Sequence, residues 1–330
     1  MTSDAARFAR EAAARLGAAF EDLDGGSGYL FRVTRGARSV LAGAGAIPSF
    51  PVNGAVPVAL ARDKAHAKTV LTAAGVQVIP GGLFFAHTRR IALREPGREA
   101  ADALAYADRL GFPVFCKPNT GARGNFAEII ASRGELADYI LRLADAFEAF
   151  LVEPVIAGVE HRVLVQDGRP IFHSVKRPPR LAGDGRSSAR ALLDALNARL
   201  IPEGLSPYPP AVLALSGHAA EDIPEEGAHL PVLARRNLST SGSAEHVSLE
   251  TPPALAALAI RAVAALGLRI GAVDLFDVSA AKDLSELLVI EVNGNPGLQT
   301  LERTGRRDVI DAIWTRMLEE LLGPQGGEAR

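Results

Sequence analysis

The sequence predicts an α+β protein, in which helices and antiparallel strand pairs follow one another without the regular βαβ succession of a parallel sheet. Three observations carry this reading. Helical stretches end at Gly75, Gly111 and Gly267, the expected position of a C-terminal glycine. Two strand pairs lie close in sequence, 161–166 with 170–175 around Asp167-Gly168, and 270–278 with 286–292, as hairpins require. No GxGxxG follows the first strand and no GxxxxGK[ST] is present, so two standard nucleotide turns are absent.

Taken in order, Phe8, Ala12 and Leu16 recur at helical spacing within 3–18, and Gly25-Gly-Ser-Gly28 breaks that helix. Short strands are expected over 29–33 and 39–42, then a helix over 61–74 and a loop and strand over 76–85. A helix over 99–110, a strand over 113–117, a glycine-bearing turn and a strand over 126–131 come next. A helix over 134–146 leads to a strand over 150–153, the hairpin above, and a helix over 187–200 behind the loop Gly183-Asp184-Gly185. The proline-rich stretch 201–230 shows no period and is expected to decorate the surface. An apolar helix over 253–266, the second strand pair and a helix over 309–321 complete the chain.

Composition limits the function classes. The chain has 330 residues, room for one large or two to three small domains, and 48% hydrophobic with 22% charged residues argues against general disorder. Thirty-six basic residues against 38 acidic ones give a formal charge of −2, so no cationic excess points to nucleic acid or to an anionic membrane. The single cysteine, Cys116, excludes an internal disulfide and a multi-cysteine zinc site. The longest apolar run, 252–268, is interrupted by Arg261, and the first 15 residues lack a continuous apolar segment. A cytoplasmic protein is expected.

Two places concentrate chemistry. Glu291 and Asn293 end a strand and point the same way, and an antiparallel partner carrying Asp274 brings that carboxylate onto the same face. Such a group is either a set of strand-end polar residues reaching solvent or an oxygen-only site for Mg²⁺. Lys117, one of five lysines in an arginine-preferring chain, ends the apolar strand 113–117. It either snorkels to water or meets phosphate as a point charge beside the loop Asn119-Thr-Gly-Ala-Arg-Gly-Asn125. Scattered histidines without HExxH speak against a zinc hydrolase, and Ser239-Thr-Ser-Gly-Ser243 with His246 lacks GxSxG.

In sequence order these pieces resemble the ATP-grasp ligases, in particular the ATP-grasp domain of cyanophycin synthetase and of the glutamate–cysteine ligase/glutathione synthetase fusion. Asp63-Lys64 with Lys68 and Leu71-Thr-Ala-Ala-Gly-Val76 is similar to the family's DKxxxK opening, and Phe112-Pro-Val-Phe-Cys-Lys-Pro118 to its FPVVVKP strand. The segment Phe150 to Leu164, the loop Gly183-Asp-Gly-Arg-Ser187 and Asn237-Leu-Ser-Thr240 also resemble the family. So does Asp274 with Glu291 and Asn293-Gly-Asn-Pro-Gly297. The resemblance implies two α+β subdomains clasping ATP, over 61–152 with the phosphate loop and 153–322 with the metal site. A short N-terminal α/β part over 1–60 precedes them, and a disordered tail over 323–330 follows.

By position the resemblance implies that Lys64 and Lys117 contact ATP phosphates and that Gly121, Gly124 and Asn125 belong to the loop that folds over them. Glu153 and Val155 then lie at the adenine, Glu160 at the ribose, and Asp274, Glu291 and Asn293 at two Mg²⁺ ions, with Mn²⁺ as a substitute. Arg162, Arg177, Arg235 and Asn237 correspond to positions near the transferred phosphate and the substrate. The activity implied is amide-bond formation between small carboxylate and amine substrates, in a homodimer, with no nucleic acid or membrane partner. A kinase of the same fold, or a nucleotide binder without turnover, is the alternative. The chain lacks the long N-terminal domain and the Mur-ligase-like half of cyanophycin synthetase, so a free-standing amino-acid or peptide ligase is expected.

Overall fold

Ser3 opens the first helix: its hydroxyl accepts the amide of Ala6, satisfying a first-turn N–H that has no partner within the helix. The computed structural model describes residues 2–121, 124–156, 158–176, 180–203, 207–208, 210, 212–232 and 244–323. Helix α1 (Asp4–Arg15) buries Ala6, Phe8, Ala9, Ala12 and Ala13. These pack on an antiparallel sheet of β1 (Ala19–Asp22), β2 (Leu30–Arg35) and β3 (Arg38–Gly43). The four-residue β1 was not expected, because so short a stretch ending in Glu-Asp shows too little apolar alternation.

The helix expected over 61–74 is two helices, α2 (Ala55–Arg62) and α3 (Lys64–Ala73). Asp63 ends the first and caps the second, its carboxylate accepting the amide of His66 at 3.0 Å. This break aims α3, on which Lys64 and Lys68 stand one turn apart.

Residues 82–154 build their own core. The strands β4 (Gly82–Phe85), β5 (Val114–Pro118), β6 (Glu128–Ile130) and β7 (Ala149–Pro154) lie in the order β4-β7-β5-β6, all antiparallel. Helices α4 (Ala100–Leu110) and α5 (Arg133–Ala144) cover one face. Val114, Cys116, Phe150 and Val152 point into that cover with Ala103, Leu136, Tyr139 and Leu143. Strand alternation therefore leaves Phe115, Lys117 and Glu153 on the opposite face, with Phe115 directly across from Glu153. Burial raises the pKa of the Cys116 thiol, with Glu153 and Glu128 adding to it, so it is an inert core group, as expected.

The third unit is a five-stranded antiparallel sheet. Its hairpin, β8 (Val159–Gln166) and β9 (Arg169–Lys176), turns at Asp167-Gly168, both at positive φ. The connection that follows holds β10 (Arg180–Ala182), α6 (Ala189–Leu200), α7 (Val212–Leu215) and β11 (His229–Pro231), and leads to β12 (Ala244–Ser248). Helix α8 (Pro253–Ala265), β13 (Ile270–Asp277), β14 (Leu287–Asn293), α9 (Gln299–Arg303) and α10 (Arg307–Leu322) end the chain. The strand order is β12-β9-β8-β13-β14.

The stretch 201–230 corrects the expectation of surface decoration. Tyr208, Val212, Leu213 and Leu230 join Leu181 and Leu193 in a small core of their own, and β10 pairs with β11. Elements of three and four residues are too short to show a period in the sequence.

Packing divides the chain as follows. Helices α2, α3 and α8 bury Val58, Ala61, Leu71, Ala259 and Val263 on one face of the five-stranded sheet, against Val163, Val273 and Leu275. The first 50 residues share a core with α10, around Trp314, on part of the other face. Asn53 fastens this part in place: Nδ2 donates to the carbonyls of Ile270 and Gly294 at 2.8 and 2.9 Å, and Oδ1 accepts the amides of Arg269 and Ile270. Of the tail expected over 323–330, only Gly323 is among the described residues.

Candidate functional site

Register assembles the acidic group. β13 and β14 pair antiparallel with Asp274 opposite Glu291 and Ala272 opposite Asn293, and the register shifts just beyond Asp274. On the other side of β13, β8 sets Arg162 opposite Asp274. The guanidinium Nη1 of Arg162 donates to both oxygens of Asp274, at 3.2 and 3.0 Å. Asn293 Nδ2 donates to Asp274 at 3.3 Å and to Glu291 at 3.4 Å, holding two like charges together. Lys64 Nζ stands 3.8 Å from Glu291. Three adjacent strands thus bring Arg162 to a carboxylate 112 positions away in the chain.

Between this face and the four-stranded sheet lies a cleft of about 600 Å³, counted with its open mouth. Ile79, Phe115, Ile129, Val155, Ile156, Phe276 and Ile290 give it apolar walls; Lys117, Glu153, Glu160, Asp274 and Glu291 supply the polar groups. Six expected site residues, Lys117, Glu153, Val155, Glu160, Asp274 and Glu291, line this one space. Arg162 and Asn293 border it through their bonds to Asp274.

Glu153 is the centre of a buried charge cluster. Its side chain is almost wholly enclosed, with Lys117 Nζ at 3.0 Å from one oxygen and Lys68 Nζ on the other. Burial pushes its pKa up, but the two ammonium groups more than reverse this and hold the carboxylate below its ordinary range. Burial also lowers Lys68 to about 8, against the attraction of Glu153. It lowers Lys64 as well, which Glu291 opposes. The Lys117 ammonium is buried and close to Glu153, yet makes no hydrogen bond of good geometry. Lys117 also lines the cleft. Gly81 makes the close fit possible: a Cβ there would sit 2.7 Å from Glu153 Cγ and 2.9 Å from the carbonyl of Val152.

The loop after β5 is tied to the start of α3. Asn119 accepts the Lys64 amide with its carbonyl at 3.1 Å and the Ala65 amide with its side chain at 2.9 Å. Lys64 Nζ donates to the carbonyl of Gly121 at 3.2 Å, and Gly121 adopts φ +134°. Gly124, also at positive φ, and Asn125 form the turn before β6. Arg177, Arg235 and Asn237 lie outside the described residues. Lys68 and Asn119 were not assigned site roles from sequence. The i, i+4 spacing of Lys68 to Lys64 was the available signal, whereas nothing local marks Asn119 as an anchor.

The residues present fit the groups that the resemblance implies. The apolar slot suits a flat base, the ammonium of Lys117 suits phosphate, and two carboxylates with an amide are the hard oxygen donors that Mg²⁺ takes. Among the described residues no group of three or more His, Cys, Asp or Glu could hold a metal ion by itself; Mg²⁺ at this pair of carboxylates would take phosphate oxygens and water as its further ligands. No described helix is long and apolar enough to cross a membrane.

Residues 233–317 match the model of the RimK-like ATP-grasp domain. A cyanophycin synthetase from Nostoc is 29% identical over 259 residues, covering 74% of this chain and 27% of that protein. The glutathione biosynthesis bifunctional protein of Enterococcus faecalis is 29% identical over 283 residues, 79% of this chain and 36% of its own length. The crystal structure of a bifunctional glutathione synthetase from Pasteurella multocida superposes with a TM-score of 0.52 at 20% identity, covering 92% of this chain and 42% of that one. The chain thus spans less than half the length of each of these relatives. It has the ATP-grasp fold.

Proposed function

We propose that the chain is an ATP-dependent carboxylate–amine ligase, forming an amide bond between small amino-acid or peptide substrates and releasing ADP and phosphate. The observation that carries this reading is one cleft lined by a buried lysine and an apolar slot, with a carboxylate pair at its edge. Relatives named as synthetases support it. In this reading ATP enters with its base among Ile79, Phe115, Val155 and Phe276, its ribose at Glu160, and its phosphates toward Lys117 and Lys64.

Asp274, Glu291 and the amide oxygen of Asn293 would hold Mg²⁺, two ions by analogy with the family; when bound, it neutralises phosphate charge and orients the γ-phosphoryl group. The substrate carboxylate attacks the γ-phosphorus, the bond to the β-phosphate oxygen breaks, and ADP leaves an acyl phosphate behind. Lys117 offsets the charge spread over the transferring group from a water-poor, fixed position. The amine then attacks the acyl carbon, phosphate departs, and the amine proton is lost. Arg162 is held by Asp274 close to this edge, where its remaining N–H groups can meet a carboxylate or phosphate oxygen. The loop from Gly121 to Asn125 shields the acyl phosphate from water.

The test uses ATP, Mg²⁺, panels of amino acids and hydroxylamine in place of the amine. A hydroxamate with equimolar ADP supports the ligase, and Lys117→Ala should lower turnover by about 10²–10³. A stable phosphoester without amide or hydroxamate would identify a kinase, and nucleotide binding without ADP release a non-catalytic binder.

A further inference from the structure

Lys68 is the one member of the Glu153 cluster that does not line the nucleotide cleft. It stands behind Glu153, between α3 and β14, with Ala61, Leu71, Val78 and Val289 around it. Its ammonium donates to the Ile79 carbonyl at 2.7 Å and to Glu153 Oε1. The other oxygen of Glu153 faces Lys117. Two cations therefore compete for one buried carboxylate, and only one of them is in the cleft.

We propose that Lys68 is a positioning residue for nucleotide binding: by taking Glu153 Oε1 it limits the hold of Glu153 on Lys117 and leaves the Lys117 ammonium open to phosphate. The proposal rests on the reading of the cleft as an ATP site. Without the Lys68 charge, Lys117 becomes the sole near counter-cation of a buried carboxylate. It is then drawn into a full hydrogen bond with Glu153, because an unpaired charge in that position is strongly disfavoured. Removing Lys68 also frees the Ile79 carbonyl, on the strand-like segment that walls the base slot. The charged groups acting on Lys68 are Glu153 on β7, Lys117 on β5 and Glu291 on β14, and Lys64 on its own helix lines the same hollow.

The experiment is calorimetric titration of the full chain with Mg-ATP between pH 6.5 and 9.5, for the wild type, Lys68→Met, Lys68→Arg and the same Lys68→Met change on a Glu153→Gln background. Wild-type affinity should fall at least 10-fold from pH 7 to 9.5, as Lys68 loses its proton near pH 8. Lys68→Met should bind at least 10-fold more weakly at pH 7. Lys68→Arg should restore neutral affinity and move the alkaline limb upward, since guanidinium keeps its charge. On the Glu153→Gln background Lys68→Met should cost less than 3-fold, because no carboxylate remains to capture Lys117. Should Lys68→Met not fold, the Arg variant's pH profile decides alone. Wild-type binding with an unmoved alkaline limb in Lys68→Arg, or Lys68→Met binding as tightly as wild type, overturns the positioning role and leaves the ATP site standing. A wild type that does not bind Mg-ATP overturns both.

Discussion

One face of the five-stranded sheet is built in two contrasting halves. Toward one end, Leu164, Phe172, Ile270 and Ala272 lie dry beneath Trp314, Ile310 and Ile313 of α10. Toward the other, Glu160, Arg162, Asp274, Glu291 and Asn293 occupy the same alternating positions and face the cleft. The dry half lowers the free energy of the fold by removing apolar area from water. The polar half gains little, because pairing charges there must first strip them of solvent. Same-face residues that differ so much support the proposal that the second half serves a ligand, with its charges arranged for a guest as well as for one another.

The largest expected effect belongs to the dry half. Trp314→Ala should cost about 3–5 kcal/mol of stability, read by urea denaturation, while the folded fraction keeps wild-type Mg-ATP affinity. A folded Trp314→Ala protein with impaired nucleotide binding would break the separation of the two halves. In the polar half the pattern should invert. Glu291→Gln is expected to lower turnover by about 10²–10³ yet change stability by no more than about 1 kcal/mol, since it also relieves repulsion from Asp274. Normal Mg²⁺-dependent turnover in that variant would reduce the acidic group to strand-end polarity.

The comparison sharpens with pH. The folded-state pKa of Glu153 is depressed relative to its unfolded value of 4.5. Its contribution is therefore fully present above pH 4.5 and is lost as pH falls through the folded pKa. Acid titration of stability should show an excess slope of up to about 1.4 kcal/mol per pH unit in that window, absent from Glu153→Gln; an unchanged slope would show that the pairing is not formed in solution. The smallest effect concerns the loop anchor. Asn119→Ala should cost about 1 kcal/mol and raise the KM for ATP more than it lowers kcat, by loosening Gly121 from Lys64; a reverse split would assign Asn119 to chemistry.

The sequence carried the polar half better than its surroundings. Asp274, Glu291 and Asn293 were legible because a hairpin of period two settles their common face once its register is known. Lys117 stood out as a lysine in an apolar strand. Lys68 carried a motif position but no role, since its partner Glu153 is 85 residues away and only the packing of α3 brings them together. The same holds for the Arg162–Asp274 pair, which needs the β8–β13 register, a tertiary fact. The break at Asp63 was hidden because both helices are good helix formers, and the small core around Tyr208 because its elements are too short to repeat.

The four hydrogen bonds of Asn53 have a practical consequence for anyone wishing to graft or trim this chain. Its side chain closes the backbone at Arg269, Ile270 and Gly294, at the entry to β13 and just past the exit from β14, the two strands that carry the acidic group. A truncation beginning after residue 54 would leave those amides and carbonyls without this partner, at about 1–3 kcal/mol for each that water does not reach, and would strip the cover from Trp314. The leading segment is therefore not a detachable head. Exchanging it for that of another ATP-grasp protein would require transplanting the asparagine, and the turn that presents it, along with the rest.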